Sequence, residues 1–114
     1  MSYPLVNIFN STNYIASGTV HYKSAFCSND DYTVTPNTAW QADSRGVCLV
    51  TKIDATVRTP NGDIVANPYT SSGTSYSQFA IIQTGPNSFE VTRRVSSLED
   101  KTPSDYVEPK EQQK

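Results

Sequence analysis

His21 is the only histidine of the chain, and Cys27 and Cys48 are its only cysteines. A thiol beside an imidazole could make a nucleophile and base, but no motif supplies a third group to orient the ring. His21 is therefore read as a solvent-facing strand residue. Zinc would need two more soft ligands beside the cysteine pair, and one histidine cannot provide them. The cysteines are expected to be free, buried thiols, with a disulfide between them as the alternative. Asn29-Asp30-Asp31, joined by Asp43, offers hard oxygen ligands, but calcium takes about 6–8 converging oxygens, and no loop motif gathers them; a solvated turn is expected. Arg93 and Arg94 are neighbours on a strand and must face opposite sides. An ordinary surface pair with Glu90 or Asp54 is expected, and a phosphate contact is the sharper alternative. No glycine-rich phosphate loop, Ser-His-Asp order, pair of catalytic carboxylates or dinucleotide fingerprint is present. The expectation is a non-enzyme without metal or cofactor.

The aromatic residues carry more information. Tyrosine and tryptophan suit contact surfaces because one end is apolar and the other forms hydrogen bonds. Trp40 falls in a loop between two polar breaks, as a core plug or an exposed contact. Tyr69 and Tyr76 flank a run of serine, glycine and threonine, a composition found in adaptable binding loops. Trp40, Tyr69, Tyr76 and Tyr32 are taken as the candidate binding residues, with Tyr14 and Tyr22 completing the set.

These residues need a scaffold, and the chain has length for one modest core in its 114 residues. Serine and threonine number 27, which fits exposed strand faces and turns. Residues 1–95 carry six basic and six acidic side chains, so the body is neutral, while residues 96–114 carry three basic and five acidic. A neutral body is unsuited to nucleic acid, and suits uncharged polar partners. The first residues lack the basic and apolar runs of a signal peptide, and no stretch approaches a membrane span of about 18 apolar residues. The expected location is cytoplasmic, or outside the cell by a route without a signal peptide. Asn10-Ser11-Thr12 is a glycosylation sequon and is read as chance.

Strand patterns follow one another through residue 95. They cover Leu5 to Phe9, then Tyr14 to Lys23 with Tyr14, Ala16, Val20 and Tyr22 on one face. Gly18 inside that run predicts a bulge or a close backbone approach. Tyr32 to Thr35 is a short strand. Val47 to Arg58 is the clearest, with Val47, Leu49, Thr51, Ile53, Ala55 and Val57 on one side. Pro60-Asn61-Gly62-Asp63 predicts a hairpin, with a return strand at 63–67. Residues 68–75 read as a loop, Tyr76 to Thr84 as a strand and Phe89 to Val95 as the last. Seven or eight strands at this spacing predict an all-β antiparallel β-sandwich, or else a small barrel. The polar tail, residues 96–114, is expected to dock through Tyr106 and Val107 on the domain or on a neighbouring subunit.

Several phrases resemble one family: Val20-His21-Tyr22 with Phe26-Cys27, Asp31 to Val34 through Pro36 to Trp40, and Ser44-Arg45-Gly46-Val47-Cys48 through Ile53. Gly73 to Phe79 and Val91-Thr92-Arg93-Arg94 complete the set. The chain resembles the nematode "up-regulated in long-lived" family, whose β-sandwich is similar to that of the aegerolysins, over residues 4–95. The wider class implies binding of membrane lipids, and the closer family implies dimers without assigned activity; neither supplies motif residues of known function. The expected function is a self-associating interaction and assembly module, its partner itself or a paralogous chain. A lipid-binding module with Trp40 and nearby tyrosines at headgroup level is the alternative. A carbohydrate-binding module is the third reading.

Overall fold

Apolar residues that recur in twos build strands, because successive side chains leave a strand on opposite faces. In the computed structural model, which describes residues 3–24 and 26–94, they build ten strands and, among the described residues, no helix. In chain order these are β1 (Asn7–Asn10), β2 (Ala16–Tyr22), β3 (Asp30–Val34), β4 (Ala39–Gln41) and β5 (Val50–Ile53), then β6 (Thr56–Thr59), β7 (Gly62–Val65), β8 (Tyr69–Thr74), β9 (Gln78–Gly85) and β10 (Ser88–Arg93). One sheet has the order β10-β9-β1-β4; the other has the order β7-β6-β2-β5-β8, with β3 on the free side of β2. All strand pairs are antiparallel except β1 and β9, which run parallel from Asn7↔Gln78 to Asn10↔Ile81.

The two sheets share one core in a sandwich-like arrangement. Val6, Ile8, Phe79, Ile81, Phe89 and Val91 come from the first sheet and its approach; Ala16, Val20, Val50, Ile53 and Val57 come from the second. Burying each of the larger side chains stabilises the fold by about 1.5–3 kcal/mol. Asn67 ties the sheets at one margin: its amide donates to the Phe89 carbonyl at 2.9 Å, and its carbonyl accepts from Val91 at 2.8 Å.

The count of ten strands exceeds the expected seven or eight, for three local reasons. Residues 68–75 are mostly strand β8, not loop, and Trp40 lies on β4, not in a loop. Small hydroxyl residues hide the first, because their side chains carry no apolar alternation. The third is the long strand expected over 47–58, which divides into β5 and β6. Val20 faces Ile53 and Ala16 faces Val57, so both halves keep one register against β2. Between them Asp54 turns aside: its carboxylate accepts the Thr19 amide at 2.9 Å, and its own amide donates to the Thr19 carbonyl at 3.2 Å. Gly18 permits this, since a Cβ there would collide with the Asp54 carbonyl. It is the close backbone approach the sequence predicted.

A second irregularity lies within β5. His21 faces Lys52 but Tyr22 faces Val50, so Thr51 is an extra residue, a β-bulge. The bulge moves the inward set by one position. Val50 is buried in place of Leu49 and Thr51, while Ile53, Ala55 and Val57 keep their expected inward places and Val47 is 66% exposed. The hairpin at Pro60-Asn61 forms as expected, with Thr59 paired to Gly62 and Gly62 at φ 119°, where glycine is favoured.

Candidate functional site

Two polar clusters and one apolar tip stand out on this scaffold. The tip is made where the chain leaves β2 and where it approaches β5. Cys27 and Cys48 are joined there by a disulfide, with their Cα atoms 6.1 Å apart. The expectation of free thiols is corrected: the β2–β3 connection folds back beside the segment entering β5, where Lys23 N–H donates to the Leu49 carbonyl at 2.8 Å, and the sulfurs meet. Next to each cysteine stands an apolar residue left in water, Phe26 at 99% exposure and Val47 at 66%. Single exposed apolar residues are ordinary; here two flank one covalent bridge.

Beneath Val47 the tip rests on Arg45, a buried cation at 4% exposure. Its guanidinium donates to the carbonyls of Cys48 at 2.9 Å, Pro4 at 2.9 Å, Thr74 at 2.8 Å, Ser75 at 3.2 Å and Tyr76 at 3.1 Å. Burying a charge is costly unless it is bonded in this way, and the planar fork of arginine reaches many acceptors at once. The Tyr3 amide also donates to the Gly46 carbonyl at 2.8 Å. Arg45 thereby joins the N-terminal segment, the β8–β9 connection and the base of the tip.

The first polar cluster surrounds His21. Its Nε2 lies 2.8 Å from Asp54 Oδ2, and its Nδ1 lies 3.4 Å from the Asn29 amide nitrogen. Sequence spacing does not reveal this orienting carboxylate, which the kink after β5 delivers. The pair has no thiol to activate, because among the described residues no cysteine is free. Asp54, one of the partners expected for Arg93 or Arg94, is engaged by His21 instead. Arg93 lies over the Tyr76 ring at 3.4 Å and Arg94 over Phe9 at 5.1 Å. The acidic run is absorbed locally: Asn29 accepts the Tyr22 amide, Asp30 accepts the Tyr22 hydroxyl at 2.8 Å, and Asp31 accepts the Thr19 hydroxyl at 2.8 Å. Among the described residues no group of three or more His, Cys, Asp or Glu is placed to hold a metal.

The second cluster is the sequon itself. Asn10 is fully buried; its amide donates to the carbonyls of Tyr14 at 2.7 Å and Val34 at 3.2 Å. Its oxygen accepts the amide of Thr12 at 2.9 Å and its hydroxyl at 2.7 Å. An amide nitrogen so enclosed is not open to a glycan in the folded protein.

The four expected binding aromatics occupy the body. Tyr32 is buried at 4% exposure, donates to the Asp54 carbonyl at 2.6 Å and packs against half-buried Trp40 with ring centres 5.4 Å apart. Tyr69 packs on Phe79 at 4.8 Å, and Tyr76 lies under Arg93. Burial first, then the negative Asp54, pushes the Tyr32 hydroxyl well above its ordinary ionisation range; burial first, then Asp30, does the same for Tyr22. Trp40 and Tyr32 are thus brought together, while Phe26 and Val47 stand further out than any of the four. Tyr106 and Val107, expected to dock the tail, lie outside the described residues. The signal that could have found the tip was the Phe-Cys and Val-Cys pairs, two apolar residues each beside a cysteine. No protein-family model, curated protein or solved structure matches the chain.

Proposed function

We propose that this chain is a non-enzymatic interaction module of the aegerolysin-like β-sandwich type, that it self-associates, and that its contact element is the disulfide-bridged tip. The exposure of Phe26, 99% beside the bridge, carries this reading. Fully burying one such side chain against a partner contributes about 1.5–3 kcal/mol. Covalent closure lowers the conformational freedom lost on contact, which favours association. The sheet margins are weaker candidates. β4 has three residues and β7 four, and short edges are a common guard against edge-to-edge pairing. Light scattering across micromolar concentrations tests the proposal. Mass should rise with concentration in the wild type and stay monomeric in Phe26→Ser. A wild type that is monomeric throughout would overturn it.

A specific observation also favours the lipid-surface reading. Phe26 lies three residues after exposed Lys23, so an apolar ring and a cation share one tip, an arrangement that suits the headgroup boundary. Co-sedimentation with neutral, anionic, and sphingolipid-sterol vesicles separates this from self-association. Binding that survives Phe26→Ser, or no binding to any vesicle, ends it. Sugar stacking draws less support, because Tyr32 is buried and Trp40, Tyr69 and Tyr76 pack on the core. The disulfide also supports work in an oxidising compartment, where such bonds persist, and so the non-cytoplasmic side of the expected location.

A further inference from the structure

The two segments joined at the bridge are held to the body by different means. On the Cys48 side, the Arg45 guanidinium bonds five carbonyls, the Cys48 amide donates to the Arg45 carbonyl at 3.1 Å, and Gly46 and Leu49 accept from Tyr3 and Lys23. On the Cys27 side, the hydrogen bonds of Ser24 and residues 26–28 among the described residues are internal. The Phe26 amide donates to the Ser24 hydroxyl at 3.0 Å, and the Cys27 amide to the Ser24 carbonyl at 3.0 Å. Among the described residues, the partial packing of Cys27 on the core and the disulfide are what fix this segment to the domain. Among the described residues, hydrogen bonding to the body resumes at Asn29, which accepts the Tyr22 amide.

We propose that the Cys27–Cys48 bond is a redox latch that sets the presentation of Phe26: a thiol reductant frees Ser24 and residues 26–28 and leaves the Arg45-held segment in place. In the reaction a small dithiol attacks the bridge through its thiolate, and a mixed disulfide forms and is displaced by the second thiol. The bridge takes up two electrons and two protons to become two cysteine thiols, and the dithiol is oxidised to its own cyclic disulfide. The Arg45 bonds involve neither sulfur, so they survive reduction. Phe26 then stands on a chain that must be ordered before it can be buried by a partner, and that ordering opposes association. The consequence for association rests on the tip being the contact element; the local release does not.

Hydrogen exchange on the full chain, oxidised and after treatment with dithiothreitol, tests the latch, with Cys27→Ser as the variant that needs no reductant. Exchange at Ser24 and residues 26–28 should rise by about tenfold or more while 45–49 and the β2 and β9 amides stay unchanged, the signature of local opening. Light scattering on the same samples should show loss of the concentration-dependent mass. Unchanged exchange at Ser24 and residues 26–28, or a rise spread over 45–49 and the strands, would overturn the latch. If instead local exchange rises while mass never depends on concentration in either state, the latch stands and the tip as self-association surface falls.

Discussion

The turn after β1 and the tip after β2 invert the usual placement of polarity. In the first, Asn10 and Thr12 are buried; in the second, Phe26 and Val47 are in water. The difference lies in whether each group can be satisfied. Asn10 finds four hydrogen-bond contacts within its own turn and β3, so the cost of removing its amide from water is met by bonds made inside. Phe26 sits on a segment held by a bridge instead of a sheet, and no inward position of the two-sheet core falls to it. Arg45 shows that even a full charge follows the first rule, when five carbonyls converge on it.

The comparison can be broken most severely at Arg45. Arg45→Ala leaves five carbonyls to find new donors, and should lower stability by about 3 kcal/mol or more. Urea unfolding with an unchanged slope would register this as a lower midpoint. Asn10→Ala should cost about 2 kcal/mol in the same measurement, since it removes the side-chain donor to the Val34 carbonyl and the acceptor of the Thr12 amide, while the Tyr14 carbonyl keeps the Thr12 hydroxyl. A loss under 0.5 kcal/mol at either site would mean that water enters and satisfies those groups.

The tyrosines give a pH test of the same rule. Their ordinary ionisation lies at 10.0, and burial raises Tyr22 and Tyr32 well above it. Between the two values the unfolded chain loses a proton that the folded chain keeps, so stability is level below about pH 10 and falls above it, by at most about 1.4 kcal/mol per pH unit for each ring. Tyr32→Phe should flatten that fall; tyrosinate absorbance and the unfolding midpoint report it together. The smallest effect sharpens the other side of the comparison. Phe26→Ser should change stability by less than about 0.5 kcal/mol, because the ring touches little in the isolated domain. A large loss there would show that Phe26 is structural after all.

Much of the scaffold was legible because alternation is a local property. Ala16, Val20 and Tyr22 are all buried on β2 as their spacing predicts, as are Phe79 and Ile81 on β9, and Gly18 marks a true close approach. β8 was missed because Thr70, Ser71 and Ser72 have no apolar phase to read. The phase error in β5 has the same origin: one extra residue, Thr51, shifts the inward set, and a bulge leaves no mark in hydrophobicity. The expected binding aromatics show a different limit. Tyr32, Trp40, Tyr69 and Tyr76 were chosen by residue type, and type alone does not distinguish a ring that lines a core from one that meets a partner.

Sequence by itself determined that this protein is built of strands, where most of them lie, and that one neutral body precedes an acidic tail. Those properties are carried by neighbours a few residues apart, so they survive without knowledge of the fold. Tertiary structure alone decided that Cys27 meets Cys48, that Asp54 meets His21, that Arg45 goes inside and that Phe26 stays out. Each of these depends on partners brought from 21 or more residues away, or on the lack of them, and closure of the chain at such range is set by how the sheets pack rather than by any local pattern.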